Sequence, residues 1–136
     1  MLSTVRRPRA VSLLVVLSML AVVGLASAST AASADPFAGH WVSVDTDGSN
    51  QTLDVVSAGR GGLHRIVLFD DAATGACGGF PATLHGAGVV SGDHMDTLLN
   101  LGCAGGGRIT GIGLGFDYRG SSDTLLDGFG VVWFRG

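Results

Sequence analysis

The chain has 136 residues, a formal net charge of −3 and 46% hydrophobic residues. It contains no Lys and no Glu, the usual surface residues of helices, while its eleven Asp and twenty-three Gly favour turns, so a helical architecture is not expected. The acidic balance argues against a nucleic-acid partner, which requires a basic face.

In chain order, Arg6, Arg7 and Arg9 form a basic start, the stretch 11–25 is almost wholly apolar, and Ala-Ser-Ala follows at 26–28 and again at 32–34. This is the pattern of a secretory signal peptide over residues 1–34, with cleavage before Asp35. The apolar core of about 15 residues is short for a membrane span of about 20, which leaves an uncleaved anchor as the alternative. Removal of residues 1–34 leaves a single domain, 35–136, with five Arg against eleven Asp and a net charge of −6. The protein is therefore expected to be secreted, with no membrane association after cleavage.

Short apolar or alternating runs then recur between clusters of Gly, Asp, Asn and Ser. They predict eight strands over 40–45, 51–57, 63–70, 82–91, 94–103, 108–118, 123–126 and 129–135. Nearly all the connections are of hairpin length, and Asp127-Gly128 has type I′ chemistry. None has room for a crossover helix, so neighbouring strands should pair antiparallel. An eight-stranded up-and-down barrel removes both sheet edges, with a β-sandwich as the alternative. In the fifth strand Met95, Thr97, Leu99, Leu101 and Cys103 share one face. In the sixth, Gly111, Gly113 and Gly115 leave a bare face, which points to tight curling or to a ring lying across them.

The only cysteines, Cys77 and Cys103, are expected to form a disulfide in an oxidising compartment, since a hairpin at 91–93 brings residue 103 near residue 82. The run 45–50, DTDGSN, reads as a hairpin turn. A calcium loop is the alternative, but Asn50 and Val56 stand where that loop needs Gly and a bidentate Glu. His94 and Asp96 share a strand face as two of the donors a metal site needs, and Asp70-Asp71 are expected to face water. No metal, no cofactor and no catalytic residue is expected: nucleophile elbow, phosphate loop and dinucleotide fingerprint are all missing.

Gly39-His40-Trp41 near the mature start and Trp133-Phe134-Arg135 at the end resemble the calycin group of small secreted barrels, the lipocalins and avidin-like proteins. That resemblance implies a first-strand Trp41 closing the barrel floor with Arg135 of the last strand packed over it. A second resemblance is to small secreted barrels that inhibit bacterial metalloproteases by inserting their N-terminal segment. The expected function is non-enzymatic binding of a small apolar or aromatic ligand in the barrel mouth, with Trp41, Phe116, Tyr118 and Trp133 as lining. The alternative is an extracellular protein-interaction module, a protease-inhibitor-like barrel or envelope component. Strand 129–135, apolar on both faces, would then meet a partner protein or another copy of the chain.

Overall fold

The structure is a computed structural model that describes residues 34–59 and 61–136; the expected signal peptide, apart from Ala34, lies outside the described residues, as does Arg60. Eight strands form a closed antiparallel barrel in simple sequence order: β1 Gly39–Val44, β2 Asn50–Ser57, β3 Leu63–Asp70, β4 Ala82–Ser91, β5 His94–Cys103, β6 Arg108–Arg119, β7 Thr124–Asp127 and β8 Val132–Arg135. The expected barrel is thus present and the sandwich is not. One helical turn, α1 Thr74–Cys77, interrupts the long β3–β4 connection.

The hydrophobic periodicity explains the wall. Alternate residues such as Leu53 and Val55, Ile66 and Leu68, and Met95, Leu99 and Leu101 are buried, and their neighbours face outward. Cys77, at the end of α1, is bonded to Cys103 at the end of β5, with Cα atoms 5.5 Å apart. This ties the β3–β4 loop to the rim. Replacing both by Ser should lower stability by about 3 kcal/mol, given a closed loop of 26 residues. Urea unfolding of the oxidised protein and the double variant checks this.

The bare glycine face of β6 serves both purposes considered for it. The β5–β6 register shifts between Leu99 and Leu101, a bulge, and Gly111 there adopts a φ of +73° that a side chain would resist. At Gly115 the His94 ring lies where a side chain would begin, 3.0 Å from an ideal Cβ.

The end of the barrel where the chain enters and leaves is plugged. Phe37 and Trp41 are fully buried, and the Trp41 indole N–H donates to the Phe37 carbonyl at 2.9 Å. First and last strands pair through Trp41 with Arg135 and Val42 with Phe134. The Arg135 guanidinium carbon stands 3.9 Å from the centre of the Trp41 ring, an arrangement that contributes roughly 0.5–2 kcal/mol. Its Nη1 and Nη2 donate to the carbonyls of Ala38 and Pro36, both at 2.7 Å, and its Nε to Asp123 at 3.2 Å. Gly39 is required by this packing: a Cβ there would lie 2.6 Å from Arg135 Nη1, and its φ is +142°. Beside this plug, buried His64 sits between the Gly62 carbonyl and the Asp35 carboxylate.

The β7–β8 connection corrects the expected turn. Asp127-Gly128 is not a two-residue hairpin loop. The connection runs over residues 128–131, Gly130 takes the positive φ of +87°, and β8 begins at Val132 rather than at 129. Asp127 governs this geometry: Oδ1 accepts the N–H of Phe129 and of Val131, both at 2.9 Å, and Oδ2 accepts the Trp133 indole N–H at 3.0 Å.

Candidate functional site: the open barrel mouth

The opposite end of the barrel, bounded by the β1–β2, β3–β4, β5–β6 and β7–β8 connections, is not plugged. A cavity of about 150 Å³ opens there. Its walls are the last inward residues of the strands, chiefly Leu68, Leu84, Leu101, Leu114 and Trp133, with Phe129 exposed at the rim. Four polar side chains complete the lining: Asp45, Gln51, Asp70 and Asp127.

Asp70 was expected to face water and does not. It is only 5% exposed, takes the Gln51 Nε2–H on Oδ2 at 3.1 Å, and takes the Ala72 N–H on Oδ1 at 3.0 Å. Its neighbour Asp71 points outward and accepts two hydrogen bonds from Asn50, from the backbone N–H and from the side-chain amide, both at 2.8 Å. Gln51 is 9% exposed, and its Oε1 has no partner. The signal for both inward residues lies in the strand alternation: Gln51 continues the face of Leu53 and Val55, and Asp70 continues that of Ile66 and Leu68.

Of the four residues expected to line a ligand site, Trp133 alone lines this cavity. Trp41 and Phe116 are fully buried in the packed interior, where Phe116 meets Trp133 edge-on at 6.1 Å between ring centres. Tyr118 packs 6.0 Å from Phe37 at the plugged end and donates its O–H to Asp123. The reason is volume: Phe37, Trp41 and Phe116 fill the narrow interior of an eight-stranded barrel at one end, and room remains at the mouth, where leucines and alanines stand beside Trp133.

The DTDGSN run forms a tight turn. The Gly48 N–H donates to the Asp45 carbonyl at 2.9 Å, and Gly48 has a φ of +91°. Both Asp47 oxygens are engaged: Oδ1 by the N–H and hydroxyl of Ser49, and Oδ2 by the Thr74 hydroxyl at the start of α1. Asp47 thus ties the turn to the β3–β4 loop across the rim. Among the described residues no group of three or more His, Cys, Asp or Glu is arranged to hold a metal ion.

Hydrogen bonding holds three carboxylates below their usual range. For Asp47 the Thr74 hydroxyl and then Ser49 are responsible, and for Asp123 the Arg135 guanidinium. For Asp35 burial pushes upward, but the bonds from His64 and from the Phe37 and Ala38 N–H groups outweigh it. A depressed folded pKa contributes stability that is present above the unfolded value of about 3.8 and is lost as pH falls through the folded one. The thermal midpoint should therefore drop between pH 5 and pH 2, and scanning calorimetry across that range checks it.

On the outer wall His94 lies between Asp117, 2.6 Å from Nδ1, and Asp96, 3.2 Å from Nε2. Asp117 first, and then Asp96, raise its pKa above 6.5. The associated stabilisation is complete below about 6.5 and is lost as pH rises through the folded value. An NMR pH titration should show His94 titrating above 6.5, and Asp117→Asn should bring it back toward that value.

A second concavity, about 620 Å³ in volume, lies along the outer seam of β1, β2 and β8, with Val42, Val44, Thr52, Val132 and Phe134 among its lining residues. Above Val42 the two end strands part, bridged by the Ser43 hydroxyl donating to the Val132 carbonyl at 2.7 Å. Among the described residues no helix is long and apolar enough to cross a membrane. The chain matches no protein-family model, no curated protein and no solved structure.

Proposed function

We propose that this is a secreted, non-enzymatic binding protein whose barrel mouth holds one small apolar or aromatic molecule. The observation that carries the reading is the cavity of about 150 Å³ left open at one end of a barrel whose other end is plugged. An apolar cavity of roughly this volume accommodates a single benzene-sized molecule. The two buried carboxylates beside it serve the scaffold: Asp127 holds the β7–β8 turn and Asp70 holds Gln51 and the start of the β3–β4 loop, which favours binding over chemistry. The disulfide and the N-terminal pattern of basic, apolar and small residues both support export.

Toluene titrated into the isotope-labelled protein tests the reading. Shifts of the Leu84, Leu101 and Leu114 methyl groups and of the Trp133 indole N–H are expected, and shifts confined to the outer wall, or none, would overturn it. Native mass spectrometry of protein collected from culture medium should also retain a bound small molecule.

The outer groove favours a second reading, an extracellular interaction module that meets a partner protein or another copy of itself through β1 and β8. Val44 and Phe134, 60% and 56% exposed, are its apolar anchors. Sedimentation that shows a clean monomer at high concentration, together with no protein recovered from culture medium, removes this reading.

A further inference from the structure

We infer that the mouth cavity selects a compact apolar molecule that carries a positively charged, hydrogen-donating nitrogen, a primary ammonium on a single ring or short branched chain. The inference rests on the binding role proposed for this cavity and adds the chemistry of the ligand's head group.

Gln51 is the first observation. Its Nε2–H is committed to Asp70 Oδ2, which fixes the amide orientation, because the flipped amide would set its oxygen against a carboxylate oxygen. Oε1 is thereby left as the acceptor, and it is the one buried side-chain polar atom without a partner among the described residues. A barrel wall does not carry a buried, unpaired acceptor without loss. Gln51 lines the mouth cavity as well as the seam groove, and a ligand donor that enters the mouth and reaches Oε1 recovers that loss.

Charge is the second observation. Among the described residues, the charged side chains that line the cavity are all carboxylates, those of Asp45, Asp70 and Asp127. Asp70 and Asp127 are 5% and 7% exposed and have only uncharged donors as partners. Negative groups in a concave, low-dielectric mouth focus the field there and raise the local concentration of cations. The same field rejects carboxylate ligands such as fatty acids. The leucines and Trp133 beneath leave room for the carbon body, and the acceptors stand at the level of the rim.

The test compares four probes built on one phenyl ring and close in size: benzylamine, benzyl alcohol, toluene and benzoate. Binding is followed by NMR at the Gln51 side-chain amide and the Trp133 indole, and by calorimetry at low and high salt. Benzylamine should bind about tenfold tighter than benzyl alcohol at low salt, with the gap narrowing as salt is added, and benzoate should not bind. Gln51→Met should weaken benzylamine by roughly tenfold and leave toluene unchanged. The wild-type comparison stands if that variant fails to fold. Should benzylamine bind no tighter than benzyl alcohol while toluene still occupies the cavity, the head-group inference is overturned and the binding role survives. If none of the four probes perturbs the cavity residues, both fall.

Discussion

Replacing Asp127 by Ala should destabilise the protein by about 3–5 kcal/mol, because one buried carboxylate satisfies three donors. The Phe129 and Val131 N–H groups would lose the acceptor that sets the turn, and the indole N–H of fully buried Trp133 would face an apolar gap. Asp127→Asn separates the contributions. Its oxygen can still accept the two backbone N–H groups, but its NH₂ then faces the Trp133 N–H, donor against donor. The Asn variant should therefore fall between wild type and Ala in chemical denaturation. Its Trp133 indole resonance should move further than any backbone amide of the turn. An Asn variant as stable as wild type would mean that Asp127 acts only through the backbone of the turn.

Trp41→Ala should cost about 3–5 kcal/mol, a large share of the 5–15 kcal/mol by which a domain of this size is stable. The side chain is fully buried at the plugged end, so its removal leaves a cavity under Phe37. It also removes the surface on which Arg135 rests. Trp41→Phe keeps a ring beneath the guanidinium but loses the N–H donated to the Phe37 carbonyl, and should cost about 1–2 kcal/mol. Urea unfolding gives both values, with an unchanged slope expected if the barrel stays closed. Because Trp41 lies away from the mouth cavity, ligand binding by folded Trp41→Phe should equal that of wild type.

The architecture was open to a reading of the sequence because each strand is short, alternating and joined to the next by a hairpin-length connection. Such a meander has one economical closure, and Gly39, Trp41 and Arg135 fall at the ends that closure brings together. The disulfide followed from two cysteines, a hairpin register and an export pattern. The mouth was harder to read, for a physical reason. Which end of a barrel is filled depends on how inward side chains from all eight strands stack into layers, and no single strand records that sum. Aromatic residues were expected to line a ligand, yet Trp41 and Phe116 are large enough to fill their layers and exclude one. Gln51 and Asp70 carry the right alternation to face inward, but a polar residue at a strand end reads equally well as the beginning of a loop. Asp127-Gly128 has the composition of a two-residue turn. What diverts it is Trp133, six residues further on, whose indole needs an acceptor only once the barrel has buried it.

The wall is not uniformly sewn. β4 and β5 are matched over ten residue pairs, from Ala82 with Cys103 to Ser91 with His94, whereas β1 and β8 are matched over two. A cylinder whose last strand is matched over two pairs to β1 and three to β7 has a designated place to split. Amides of β8 and the adjoining edge of β1 should exchange with deuterium through brief local parting, while those of β4 and β5 wait for the whole molecule to come undone. The plug of Phe37, Trp41 and Arg135 sits at that stitch and acts as its clasp, so loosening the clasp should speed exchange along β8 well before it alters the mouth.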